Sequence, residues 1–197
     1  MAQRNAHSAH STHEELGVIV LAGGRSTRMG AEKAQVKLDG ARLVDRTLAS
    51  LPAHAVPVVV SPFPLSLNVA QVSEEPPFGG PVAGMHAGVQ ALSTELVGVI
   101  AVDAPYSGAL LPDLARSLHT SGADVAVVQA TDGYVQPLCA VWRRPALVDA
   151  LERTGTRDAA AKRLLAAPTQ VERMLGDGRE QDYDTPEALG ELGRVEL

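Results

Sequence analysis

The sequence predicts an α/β fold in three layers, with a mostly parallel central sheet covered by helices on both faces. Three observations predict it. Short apolar runs of strand length alternate along the chain with stretches of helical periodicity. The strand-like runs are apolar throughout instead of alternating, which is the mark of strands buried on both sides. Two polar motifs directly follow such runs, a glycine-rich segment after Leu21 and an acid, Asp103, after Val102. In open α/β sheets ligands bind beyond the carboxyl ends of the strands.

Taken in order, Gly17–Leu21 is a short apolar run that stops at Gly23-Gly24 and reads as a buried strand ending in a turn. Leu43–Leu51 carries apolar residues at 43, 44, 48 and 51, which suits a helix. Val56–Val60 reads as a second buried strand, Pro81–Leu92 as a glycine-interrupted helix, and Leu96–Val102 as a third apolar strand stopped by Asp103-Ala104-Pro105. Leu110–Leu118 is helical in pattern, Val125–Val128 and Leu138–Trp142 are strands, and Pro145–Leu151 and Ala159–Ala166 are helices. A last helix opens with Thr185 as N-cap and Pro186 at the first helical position. No internal repeat and no second domain are legible, so residues 15–197 are expected to form a single domain.

Residues 1–14 are polar and aperiodic, and read as a disordered tail. His7, His10 and His13 recur there every three residues. A solvated tail accounts for them better than a metal site, because ordered ligands need a scaffold. At 45% hydrophobic residues the 197-residue chain carries enough apolar surface for a sizeable core, and with 3% aromatics that core must be built from Ala, Val and Leu. The net charge of −6, without a long basic block, argues against duplex nucleic acid as the main partner. A small anionic ligand needs only a local positive pocket. The one cysteine, Cys139, excludes an intrachain disulfide and a cysteine-based zinc site. No stretch has the pattern of a signal peptide or of a membrane span, so the expected location is the cytoplasm.

The most informative segment is Leu21-Ala22-Gly23-Gly24-Arg25-Ser26-Thr27-Arg28-Met29-Gly30-Ala31-Glu32-Lys33. Its glycines let the backbone come close to a ligand, exposed amides in such a loop form an anion-binding concavity, and Arg25, Arg28 and Lys33 add positive charge. The combination suits a triphosphate. The segment is neither a P-loop, since no GK[ST] ends it, nor a GxGxxG turn. The plainer alternative is a tight glycine turn with solvated basic residues. For Asp103 the alternatives are a metal ligand and a turn or capping residue before Pro105. A magnesium ion takes oxygen ligands, usually one or two carboxylates with substrate phosphates.

This segment resembles the LAGG-x-S-x-R-M-G-x-x-K motif of the molybdenum-cofactor guanylyltransferases and their sugar- and polyol-nucleotidyltransferase relatives. Five further stretches extend the resemblance over residues 16–193. Asp103-Ala104-Pro105-Tyr106 is similar to the family's D-x-P-[FY], and Gly80-Pro81-Val82-Ala83-Gly84-Met85 to its GPLAG-[ML]. Gln136–Trp142, with Gly155–Asp158, resembles the acceptor side, and Asp182–Glu187 the closing D-x-[DN]-T-P-E. The resemblance implies a three-layer Rossmann-like nucleotidyltransferase fold. It also implies transfer of GMP from GTP to molybdopterin with magnesium and release of pyrophosphate, and transient contact with molybdenum-insertion proteins or molybdoenzymes.

Carried over by position, the resemblance implies that Leu21, Ala22, Gly23, Gly24, Ser61, Glu75, Gly80, Pro81 and Gly84 lie along the nucleotide. Arg28 and Lys33 neutralise the triphosphate and, with Asp103, carry catalysis. Asp103 holds the magnesium, and Asp184 faces the metal or the acceptor; its alternative is capping of the last helix. His86 either faces the site or is an ordinary helix residue, and Cys139 is a core residue. The chain departs from the pattern at Ser61-Pro62, where the family often has Asn, at the Pro62–Asn68 loop, and before GPVAG, where Glu74 or Glu75 stands for an Asp. The rival readings are the same chemistry with CTP or another triphosphate on a related phosphorylated acceptor, and a nucleotide-binding homologue without turnover. Cytidylyltransferase relatives typically read LAAG where this chain reads Leu21-Ala22-Gly23-Gly24, which favours guanine.

Overall fold

The computed structural model describes residues 15–24, 29–155 and 159–197. The expected tail with its three histidines, Arg25 and Arg28 of the glycine loop, and residues 156–158 lie outside the described residues. The strands are β1 (Leu16–Leu21), β2 (Lys37–Leu38), β3 (Ala41–Arg42), β4 (Ala55–Val60), β5 (Ala70–Val72), β6 (Leu96–Ala101), β7 (Val125–Gln129), β8 (Val135–Arg143), β9 (Val171–Leu175) and β10 (Val195–Glu196). The α-helices are α1 (Leu43–Ala49), α2 (Pro81–Gln90), α3 (Leu111–Ser121), α4 (Arg144–Thr154) and α5 (Pro186–Gly190).

Seven strands form the main sheet in the order β5-β4-β1-β6-β8-β7-β9. β1 runs parallel to β4 and β6, β4 to β5, and β7 to β9. Only β8 is reversed, antiparallel to both β6 and β7. The expected mostly parallel sheet is therefore present, and its two faces are both covered. Val18 and Val20 of β1 join one core with Val44 of α1 and Leu111, Leu114 and Leu118 of α3. Ile19 points the other way, into a core with Val82, Met85 and Val89 of α2 and Leu147, Ala150 and Leu151 of α4. This is the period of two expected of a strand between two helical layers.

Local chemistry explains where the helices start and stop. α3 places Leu111, Leu114 and Leu118 on one face and ends at Gly122, whose φ of 70° is the left-handed conformation that a helix C-terminus favours. α5 begins as the sequence predicts: the Thr185 hydroxyl accepts a hydrogen bond from Ala188 N at 3.2 Å, and Pro186 follows. None of the described helices is long and apolar enough to cross a membrane.

Four features differ from the sequence reading. β5 and β9 are strands that escaped it, because their residues are half buried or exposed, with Glu172 half buried and Arg173 exposed, and lack the continuous apolar run of inner strands. The Ala159–Ala166 stretch is a 3₁₀ segment over Ala161–Ala166. Leu138–Trp142 is the inner part of a longer, reversed strand. A second sheet, β10-β2-β3, is antiparallel and pairs the chain end with the segment after the glycine loop. It covers a small third core of Met29, Val36, Leu38, Leu43, Tyr183 and Leu189.

The glycines of α2 set how closely that helix lies on the sheet. A Cβ on Gly88 would stand 2.7 Å from Ile19 Cγ2, inside van der Waals contact. Gly88→Val is expected to destabilise the fold by about 1–3 kcal/mol through overpacking. Gly190→Ala, where nothing lies within 4 Å, should stay within about 0.5 kcal/mol. Denaturant titration of both variants checks the contrast.

Candidate active site

The carboxyl ends of β4, β1 and β6 stay laced together up to the point where the loops leave. Ala22 N donates to Val60 O at 2.9 Å, and Val102 N donates to Leu21 O at 3.0 Å. The glycine loop departs between these bonds. Gly23 passes so near the exit of β4 that a Cβ there would stand 2.8 Å from Pro62 Cδ. The next described residue, Met29, is buried in the third core and anchors the far side of the loop. Lys33 then opens a single 3₁₀ turn, Lys33–Gln35, held down by buried Ala34. Small residues and one buried methionine thus fix where the lysine stem begins.

The Lys33 ammonium meets two carboxylates. It lies 2.7 Å from Asp184 Oδ1 and 3.6 Å from Asp103 Oδ2. Asp103 lies two residues past the end of β6. Its backbone oxygen accepts from Tyr183 N at 2.8 Å, which pins the C-terminal arm carrying Asp184 beside it. Burial pushes the Asp103 carboxyl above its ordinary range; Lys33 pulls it back, and the Asp182 and Asp184 carboxylates push it up again. Burial is thus the main reason the Asp103 carboxyl resists ionisation, and the Lys33 ammonium opposes it.

These groups border a cavity of about 580 Å³, within the usual size range of small-molecule sites. Of the residues singled out in the sequence, Leu21, Ala22, Gly23 and Gly24 line it from β1 and its loop. Gly80, Pro81 and Gly84 line it from the start of α2, and Lys33, Asp103 and Asp184 from the charged centre. Gly80, with φ 91°, supplies the backbone turn that aims the α2 N-terminus, and that end presents unpaired amides suited to an anion. Gly84 has two jobs, because the missing Cβ also lets α2 close on Leu21 and Val60.

Two residues expected along the nucleotide do not line the cavity. Ser61 is buried beside the site without lining it; its hydroxyl accepts from Phe63 N at 3.2 Å and its N–H goes to Val72 O, so it braces the Pro62 loop. Glu75 is exposed. The lining acid before GPVAG is Glu74, 5% exposed, whose Oε1 accepts from Phe78 N at 3.0 Å. Nothing in the sequence separates two adjacent glutamates; burial does. His86 is exposed on α2 and does not line the cavity. Cys139 is buried and its thiol is pushed up to about 12, as suits a core residue. Leu138, Ala101 and Phe78 line the cavity without having been singled out.

A parallel-sheet cleft of this kind, with an acid at a strand end facing a glycine loop and a lysine reaching back to the acid, defines a nucleotidyltransferase. The chain belongs to the MobA-like NTP transferase domain family, whose model matches residues 18–173. It is 35% identical over 168 residues to a probable molybdenum cofactor guanylyltransferase of Opitutus terrae, covering 81% of this chain and 82% of that protein. It is 33% identical over 174 residues to a molybdenum cofactor guanylyltransferase of Burkholderia lata, covering 82% of each. Among solved structures it is similar in fold to molybdopterin-guanine dinucleotide biosynthesis protein A of Archaeoglobus fulgidus. The TM-score is 0.70 at 23% identity, over 89% of this chain and 95% of that one.

The electrostatics carry a stability consequence. Because the folded Asp103 carboxyl titrates above its ordinary 3.8, folding favours its protonated form, and stability is lost as pH rises from about that value through the folded pKa. At neutral pH the charge works against the fold, so Asp103→Asn should melt higher than wild type in chelator-treated buffer. The difference should vanish below the ordinary 3.8. Melting curves across this range check it.

Proposed function

We propose that the protein is a molybdenum cofactor guanylyltransferase, which transfers GMP from GTP to molybdopterin and releases pyrophosphate. The observation that carries the reading is the Lys33 ammonium between Asp103 and Asp184 at the mouth of the glycine loop. A terminal phosphate oxygen of the acceptor attacks the α-phosphorus in line. The bond from that phosphorus to the β-phosphate bridging oxygen breaks, and pyrophosphate leaves with the electron pair. The chain's work is to position two anions and to neutralise the charge that develops. The amides of the glycine loop and of the α2 start hold the nucleotide, and Lys33, with Arg28, stabilises the triphosphate and the leaving group.

Magnesium fits the donor set. Two hard carboxylate oxygens already converge on one cation, the lysine ammonium, and Asp103 is pushed up chiefly by burial, with the neighbouring Asp182 and Asp184 carboxylates adding to it. Among the described residues no group of three His, Cys, Asp or Glu could hold a metal. Magnesium takes one or two carboxylates and completes its shell with phosphate and water. Asp103 and Asp184 would hold it. Bound there, it supplies Lewis-acid polarisation of the phosphate oxygens.

Incubation with magnesium, molybdopterin and GTP, CTP or ATP in turn, with pyrophosphate release followed and the product identified by mass, tests the reading. The guanine dinucleotide should form from GTP alone. Equal turnover of all three triphosphates would remove the guanine assignment, and absence of product would remove the activity. Lys33→Ala should lower kcat on the order of a hundredfold, as for loss of a charge-stabilising donor. Lys33→Arg should recover only part, because a planar guanidinium is not a compact point charge. Steady-state kinetics of both variants, with circular dichroism to confirm folding, measures this, and an unchanged kcat in folded Lys33→Ala contradicts it.

A further inference from the structure

Glu180 is buried, and it lies in the arm that leads from β9 to Asp184. Burying a carboxyl is costly unless polar partners meet it. Its Oε2 accepts from Gly178 N at 2.9 Å. A Cβ on Gly176 would overlap Glu180 Oε1 and stand 2.7 Å from Oε2. The chain therefore turns around the carboxyl: the amide of one glycine binds it, and the missing side chain of the other makes room for it. Gln181 N closes the turn on Gly178 O at 3.2 Å.

The turn matters because of where the arm must go. In the sheet order β6-β8-β7-β9, the arm leaves β9 at the ligand end and crosses β7 and β8 to reach Asp103 past β6. Three strand spacings make that crossing about 14 Å. Its two ends are tied: Gly176 N donates to Gln129 O of β7, and Tyr183 N donates to Asp103 O. The seven steps from Gly176 to Tyr183 could span about 24 Å if extended. The arm thus has slack, and the turn around Glu180 takes it up.

Two further observations place the turn between the ties. Arg179 Nη1 donates to Ala109 O at 3.2 Å, just ahead of α3. Burial pushes up the thiol of Cys139 in β8, and the Glu180 carboxyl is near enough to add to the rise. There β8 bulges, since Val127 pairs with Ala140 but Val128 with Gln136. Resting on the functional reading above, we propose that Glu180 is a positioning residue for the transfer, which sets where Asp184 stands against Lys33. Besides burial, the charges that move the Asp103 carboxyl are those of Lys33, Asp182 and Asp184. Glu180 therefore works through its reach and its hydrogen bond, not through its charge.

Glu180→Asp keeps the charge but is one methylene too short, whereas Glu180→Gln keeps the length and an oxygen for Gly178 N. One arm of the test needs no substrate. Denaturant titration in chelator-treated buffer compares the loss caused by Lys33→Ala in the wild type and in Glu180→Asp. The loss should be smaller in Glu180→Asp, where Asp184 has left Lys33, and equal losses overturn the proposal. The other arm is steady-state kinetics with GTP, magnesium and molybdopterin, beside calorimetric titration of GTP. Glu180→Asp should lower kcat on the order of tenfold, as a misplaced group does, with the GTP Kd within about twofold. Glu180→Gln should stay near wild type, and circular dichroism establishes that both variants are folded. An unmoved kcat in folded Glu180→Asp overturns the proposal. An impaired Glu180→Gln does so on its own, because charge would then be what matters. A wild type that makes no product overturns the functional reading, and the stability arm then decides whether Glu180 places Asp184.

Discussion

Two carboxylates from distant parts of the chain share one ammonium, and the site is organised around that fact. Asp103 lies two residues past β6, Asp184 lies 151 residues beyond Lys33, and the lysine comes from the segment after the glycine loop. Burying a carboxylate is costly unless a counter-charge is near. The Lys33 side chain is only 12% exposed and Asp103 30%, whereas Asp184 is 46% exposed, so the Lys33–Asp103 pair is less screened by water than an exposed pair is. The structure is built to bring them together. The Tyr183–Asp103 backbone bond, the Thr185 cap and the third core under the small sheet each hold one of the three segments.

That arrangement also sets carboxylates and an ammonium side by side. Under the function proposed above, the carboxylates suit a divalent cation and the ammonium suits phosphate. The apolar floor beneath contributes shape instead of charge. Val60, Leu21 and Ala101 stand opposite one another in the registers of β4, β1 and β6, and Leu138 lines the same cavity.

Much of this was legible in the sequence, for identifiable reasons. Inner strands such as β1 and β6 are buried on both faces, and their apolar runs say so directly. The glycine loop, Lys33 and Asp103 announce themselves as breaks at strand ends. What stayed hidden depends on non-local pairing. β9 carries Glu172 and Arg173 and becomes a strand only because β7 offers it an edge. The reversal of β8 leaves no mark in its composition, although Pro137 hints at the bulge. The choice between Glu74 and Glu75 is decided by which way the chain turns before α2. Lys33 contacting both Asp103 and Asp184 could not be read from spacing, since the partners come together only through the fold.

The central claim is that Lys33 and Asp103 act as one unit. A double-mutant cycle in unfolding free energy, with Lys33→Ala and Asp103→Asn alone and together in chelator-treated buffer, tests it most directly. The account predicts that Lys33→Ala destabilises the wild type more than the Asp103→Asn background, where the lysine keeps Asp184, with an interaction energy of about 0.5–3 kcal/mol, the range for coupled neighbours. Equal losses in the two backgrounds would contradict it.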